Sequence, residues 1–189
     1  ERAIDGALTL LDSEPVAFNP SAMAISPDGT AVFVATNNGE VQAWQRAPAT
    51  GLLTFADGLN DNIDGGGYLQ YAYGLAVSPD GDHVYVASGE NAITCFAWDA
   101  GAGDLALIET DVTGGGGLVL SAPGPIAVTP DGAFAYVTNI DSSSVSVIDT
   151  ASNTVIATVN VGESPLEIAI TPDGAFAYVA NLGWVKKIC

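Results

Sequence analysis

The stretch Ala24-Ile25-Ser26-Pro27-Asp28-Gly29-Thr30-Ala31-Val32-Phe33-Val34 reads as a β-hairpin. Pro27 presets φ for the first corner of a turn, Asp28 bonds back to its local backbone, and Gly29 takes the positive φ that lets the next strand leave antiparallel. Short apolar and β-branched runs on both sides are the strands. The same unit recurs three times, at Pro79-Asp80-Gly81, Pro130-Asp131-Gly132 and Pro172-Asp173-Gly174. Each turn follows a small apolar run and a hydroxyl residue (Ala76-Val77-Ser78, Ala127-Val128-Thr129, Ala169-Ile170-Thr171). Each precedes an aromatic or β-branched segment (Val84-Tyr85-Val86, Ala135-Tyr136-Val137, Ala177-Tyr178-Val179).

Working outward, a third strand follows each of the first three hairpins, at Val41 to Gln45, Ile93 to Trp98 and Val145 to Asp149. A fourth follows at Leu52 to Phe55, Leu105 to Glu109 and Val155 to Val159. Four short antiparallel strands per repeat of this length make the blade of an all-β propeller. The turn prolines at 27, 79, 130 and 172 are 52, 51 and 42 residues apart. The longer spacings hold insertions, Asp57 to Gln70 and Val112 to Gly124, expected on one common face. The expectation is one propeller domain over 1–189, with blades near 20–56, 72–110, 124–160 and 165–189. After the last turn only two strands remain, ending with Trp184 to Ile188, while Ala7 to Leu11 reads as a spare fourth strand near the start. Two readings stay open: a ring closed by that N-terminal strand, or part of a larger ring.

Twenty-two acids against four bases (Arg2, Arg46, Lys186, Lys187) give a formal net charge of −18. That field repels phosphate backbones and anionic lipid, so nucleic acid is not an expected partner. No apolar run reaches the length of a membrane span. A start at Glu1 reads as a processed or truncated product. Few lysines with many acids, Gly, Thr, Asn and Ser point to an extracellular, cell-surface or periplasmic location. Cys95 and Cys189 form neither a disulfide framework nor a metal spacing.

Tyr136-Val137-Thr138-Asn139, Val145 to Thr150 and Gly162-Glu163-Ser164-Pro165, with Tyr178-Val179-Ala180-Asn181, resemble the YVTN family of β-propeller repeats. Val41-Gln42-Ala43-Trp44-Gln45-Arg46 with Thr50 to Leu53, and Ile93 to Asp99 with Gly103-Asp104-Leu105, resemble lactonase-type seven-bladed propellers. The first resemblance implies a secreted or surface-layer binding or scaffold module. The second implies a hydrolase of the 6-phosphogluconolactonase type, opening sugar lactones. The chain has fewer blades than a seven-bladed ring. Its last strand also places Lys187 where Ala43, Cys95 and Val147 sit, an interior-facing column in which a lysine is costly unless it reaches water.

Hydrolysis calls for a nucleophile with a base, or paired carboxylates. The one histidine, His83, opens a second strand beside a turn and reads as a surface residue. No Gly-x-Ser-x-Gly elbow is present. The glycine runs at 65–67 and 114–117 lack the Gly-Lys-Ser/Thr of a phosphate loop. Asn60, Asn62 and Asp64, followed by Gly65, place oxygens at alternate positions like the start of a calcium loop, yet Tyr71 stands where the closing Glu belongs. A solvated turn is the plainer reading, and no cofactor is expected beyond that weak calcium candidate. Trp44, Phe96 and Ile148 repeat in register and read as packing between blades, whereas Trp98 and Trp184 read as exposed aromatics. The expected function is a non-enzymatic module that binds protein or joins a surface assembly, alone or with a ring completed by a second chain. A lactonase-like hydrolase is the alternative.

Overall fold

The computed structural model describes residues 13–16, 19–60, 69–89, 91–109 and 120–188. The expected strand Ala7 to Leu11, most of both insertions, and Asn62, Asp64 and Cys189 lie outside them.

The described residues are all β, without helix, in fifteen strands. The first blade is β1 (Pro20–Ile25), β2 (Ala31–Thr36), β3 (Glu40–Arg46) and β4 (Leu53–Asn60). The second is β5 (Ala72–Val77), β6 (His83–Ser88), β7 (Ala92–Asp99) and β8 (Asp104–Glu109). The third is β9 (Pro123–Val128), β10 (Phe134–Asn139), β11 (Ser144–Asp149) and β12 (Thr154–Asn160). The fourth is β13 (Pro165–Ile170), β14 (Ala177–Asn181) and β15 (Trp184–Ile188). Each sheet is antiparallel and pairs its strands in chain order, four per sheet in the first three and three in the last. The four sheets succeed one another as propeller blades, with the inner strands β1, β5, β9 and β13 packed side by side. The outer edge of β15 has no described partner and borders a cleft of about 420 Å³ lined by Val147, Val159, Phe176, Ala177 and Ile188.

The turn chemistry is built the same way four times. The hydroxyl of Thr129 donates to Asp131 Oδ1 (2.6 Å) and accepts the Phe134 N–H (3.0 Å), while Asp131 Oδ1 also accepts the Ala133 N–H (3.0 Å). Ser26 with Asp28, Ser78 with Asp80, and Thr171 with Asp173 repeat the clamp. The glycines of these turns all have φ between 71° and 86°, the region closed to most side chains.

The hydroxyl bond, then the backbone N–H bond, holds Asp28, Asp80, Asp131 and Asp173 below the ordinary carboxyl range. A carboxyl depressed in the folded chain contributes stability above its unfolded value of about 3.9, and loses it as pH falls through the lower folded value. Thr129→Ala is therefore expected to melt below the parent chain at pH 7. The gap should narrow as the pH drops below about 4. Relief of the chain's net negative charge on acidification is common to both proteins and cancels in that comparison. Melting curves followed by circular dichroism from pH 7 to 2.5 decide it, and a constant gap contradicts the clamp.

The core lies between blades. Phe33, Ala35, Val41 and Ala43 of the first blade meet Val84, Val86, Phe96 and Trp98 of the second. Tyr85, Ile93 and Cys95 on the opposite face of the second meet Ile126, Val137 and Ile148 of the third. Val145 of the third meets Ile168, Ala177 and Val179 of the fourth. Blade faces alternate along each strand, so every sheet is apolar on both sides, one for each neighbour. Phe96 and Ile148 pack between blades as their register suggests; Trp44 instead packs edge-on to Phe55 on the outward face of the first blade.

The strand β4 runs to Asn60, longer than the expected Leu52 to Phe55. A bulge opposite Ala43 and Trp44 absorbs one residue, after which Asp57 to Asn60 resume pairing with β3. The Asp57 carboxylate there accepts the Leu105 N–H of the next blade (2.8 Å).

Candidate functional site

The inner strands all begin at one end of the sheets, the end opposite the Pro-Asp-Gly turns. This mouth also receives the connections between blades and the turns joining second to third strands. Each inner strand carries the same irregularity near its start: the register slips by one residue, leaving Ser21, Tyr73, Gly124 and Leu166 as the extra residues. A bulge bends a strand and re-aims one side chain, and such bulges gather beside functional sites. Tyr73 and Leu166 are about half exposed.

Two residues before each bulged position the backbone turns left-handed: φ is 56° at Tyr71, 47° at Ala122 and 47° at Ser164. None is glycine, so each costs on the order of 1 kcal/mol and needs support. Neighbouring chain supplies it. Tyr71 N–H donates to Asn37 O of the first blade (3.2 Å), and Tyr71 O accepts from Gly89 N–H (3.0 Å). Ala122 N–H donates to Asn91 Oδ1 of the second blade (2.8 Å), and Ala122 O accepts from Ile140 N–H (3.1 Å). The mouth is thereby tied from blade to blade.

The tightest point is the crossing of β5 and β9, where a Cβ on Gly74 would stand 2.5 Å from Gly124 O. Beside it, Tyr71 and Tyr73 close around Gly89, whose added Cβ would lie 3.0 Å from Tyr71 Cβ and 3.3 Å from Tyr73 Cε2. Two half-exposed tyrosines with Asn37, Asn38 and Gln70 nearby form an aromatic shelf with amide groups at its edge. An aromatic face with amide hydrogen-bonding partners suits a neutral polar ligand or a peptide surface.

The titratable groups singled out from sequence do not converge on this shelf. His83 starts β6 at the Pro-Asp-Gly end, stacked on Tyr85 with ring centres 6.4 Å apart. Burial pushes the Cys95 thiol up to about 12, which keeps it protonated and unreactive at neutral pH. The same burial raises the Tyr85 phenol. Among the described residues no group of three or more His, Cys, Asp or Glu is placed to hold a metal ion. Asn60 ends β4; its two companions in the calcium pattern are outside the described residues. Trp98 is not exposed as expected: it is buried edge-on against Phe33, with ring centres 5.1 Å apart, because the second blade turns that face to the first. Trp184 is exposed, on β15. The tyrosine shelf escaped sequence reading, although Tyr71-Ala72-Tyr73 stands where the third and fourth blades carry Ala122-Pro123-Gly124 and Ser164-Pro165-Leu166.

Comparison with known proteins places these features among propellers. A family model described as a lactonase with a seven-bladed β-propeller matches residues 69–164. A protein from Lactobacillus plantarum of solved structure superposes with a TM-score of 0.78 at 21% identity, over 99% of this chain and 58% of that one. Hydrazine synthase of Kuenenia stuttgartiensis gives 0.69 at 22% identity, over 97% and 49%. A functionally unknown protein of Desulfotomaculum acetoxidans gives 0.64 at 23%, over 86% and 49%. At these identities the likeness is one of fold, and the chain spans about half the length of those structures. No match was found among curated proteins.

Proposed function

The chain belongs to the lactonase family of seven-bladed β-propellers, and from that premise we propose that it is a non-enzymatic binding module whose contact face is the mouth of the inner strands. The observation that carries this reading is where the reactive side chains lie. Four aspartates are committed to turns, His83 lies at the far end, and Cys95 is buried, while the mouth presents Tyr71 and Tyr73. A protein or a component of a surface assembly is the proposed partner, and the net charge of −18 favours a neutral or basic one. An extracellular or cell-surface setting accords with the scarcity of lysine.

Opening of a sugar lactone is the second reading, favoured by the family description. Incubating the chain with a six-membered sugar lactone and following acid release separates the two. The expected rate equals that of buffer alone. Release above background that disappears in Tyr73→Ala, with folding intact by circular dichroism, overturns the non-enzymatic reading and places the reaction at the mouth.

A further inference from the structure

Every junction between blades joins two kinds of face. One carries the second-strand aromatic: Phe33 is fully buried at the first junction, Tyr85 is 2% exposed at the second, and Tyr136 is packed into the third. The receiving face carries an inner-strand residue: Leu75 is 9% exposed, Ile126 8% and Ile168 5%. Their counterparts at the two ends of the row are different. The receiving residue of the first blade, Met23, is 67% exposed, and the aromatic of the last blade, Tyr178, is 43% exposed. The ends therefore present the two halves of one junction. No first-blade strand packs on a last-blade strand, among the described residues, as neighbouring blades do.

Shape and charge match the halves further. A groove of about 600 Å³ lined by Val16, Pro20, Met23 and Val34 runs over the receiving face, open to an aromatic knob. Lys187 pairs across strands with Tyr178 and shares its face, in the column that the other blades fill with Ala43, Cys95 and Val147. On the receiving face, Gln42 lies in the cross-strand row of Met23 and Val34, and Glu40 lies on the same side. Gln42 Oε1 is buried and accepts no hydrogen bond from the described residues. The corresponding positions in the second and third blades, Ala92 and Ser144, carry no charge. A cation on one end thus faces a carboxylate and an unused acceptor on the other.

We propose that a second copy of this chain docks head to tail, the Tyr178–Lys187 face of one copy on the Met23–Glu40 face of the other. The same contact made twice closes a two-fold ring of eight blades, within the range propellers adopt. The blade-to-blade angle then falls from roughly 51° in a seven-bladed ring to roughly 45°, a change of roughly 6° at each junction. This proposal is independent of what binds at the mouth.

Sedimentation equilibrium of the 189-residue chain tests it. The expected species has twice the 19.1 kDa chain mass. Added salt should tighten it, because two copies of charge −18 repel over a Debye length that shrinks from about 10 Å at 0.1 M to about 3 Å at 1 M. Met23→Asp alone and Tyr178→Asp alone are each expected to weaken association at least tenfold. An equimolar mixture of the two should regain it, since each retains the half the other lacks. Both positions are exposed, so circular dichroism should be unchanged. Should either variant fold poorly, Lys187→Glu is expected to weaken association and Glu40→Lys in the mixing partner to restore it. A single 19.1 kDa species at every concentration overturns the proposal. So does loss in only one of the two aspartate variants, which marks a same-face pair, and so does a ladder of higher masses.

Discussion

Phe33→Ala is expected to destabilise the chain by about 3–5 kcal/mol, lowering the melting temperature by on the order of 10 °C for a domain of this size. The ring is fully buried between the first and second blades and stands edge-on to Trp98, with centres 5.1 Å apart. Removing it loses the transfer energy of the side chain, opens a cavity between two sheets, and forfeits the aromatic pair, itself about 0.5–1.5 kcal/mol. Blades touch only their neighbours, so stability behaves as a sum of blade and junction terms. The loss should concentrate in the first blade. Amide exchange in β1 to β3 is expected to accelerate far more than in β9 to β11. Tyr178→Ala, at the same repeat position in the last blade, is the control. It should cost less than about 0.5 kcal/mol at concentrations where the chain is monomeric. Equal losses at the two positions would contradict the claim that faces between blades hold the fold.

Gly74→Ala is expected to cost about 3 kcal/mol or more, the upper end for inserting one methyl into packed surroundings. The added carbon would meet Gly124 O at 2.5 Å, Ile126 N at 3.0 Å and Pro125 Cα at 3.0 Å. All three are backbone atoms, so relief requires β5 and β9 to part, and with them the mouth. Gly183→Ala separates this from a conformational cost. Its Cβ meets nothing within 4 Å, but its φ of 84° strains any other residue, a penalty of about 1 kcal/mol. Denaturant unfolding of both variants reads the difference, and a milder effect at Gly74 than at Gly183 would refute the close crossing.

The hairpins were legible in the sequence because their cause is local. A hydroxyl residue, Pro, Asp and Gly in order supply the donor, the fixed φ, the acceptor and the left-handed corner within five residues. Spacing of these turns then counted the blades. The length of β4 was less legible, since its bulge hides the resumption of pairing at Asp57. Trp98 read as exposed because it lacks a repeat partner, yet burial depends on which neighbour its face meets, and here that neighbour is Phe33. The mouth was hardest to read. Its definition rests on a register slip and on left-handed φ at Tyr71, Ala122 and Ser164, none of them a residue type that announces such a turn. Lys187 was costly on paper in an interior column; it is tolerated because the last blade leaves that column open to water, with Nζ 4.2 Å from the Phe176 ring centre.

The clamp at each Pro-Asp-Gly turn also has a kinetic meaning. Its partners are two to five residues apart, so almost no loop entropy stands against its closure. Hairpins of this kind form in about 1–10 μs. Contacts such as Phe33 with Trp98, 65 residues apart, must wait for whole sheets. During synthesis each blade can thus acquire its central hairpin before the next emerges, at roughly 5–20 residues per second. Slow steps are left to the docking of sheets already formed. Thr129→Ala and Thr171→Ala should then retard folding, while Phe33→Ala should act mainly by hastening unfolding.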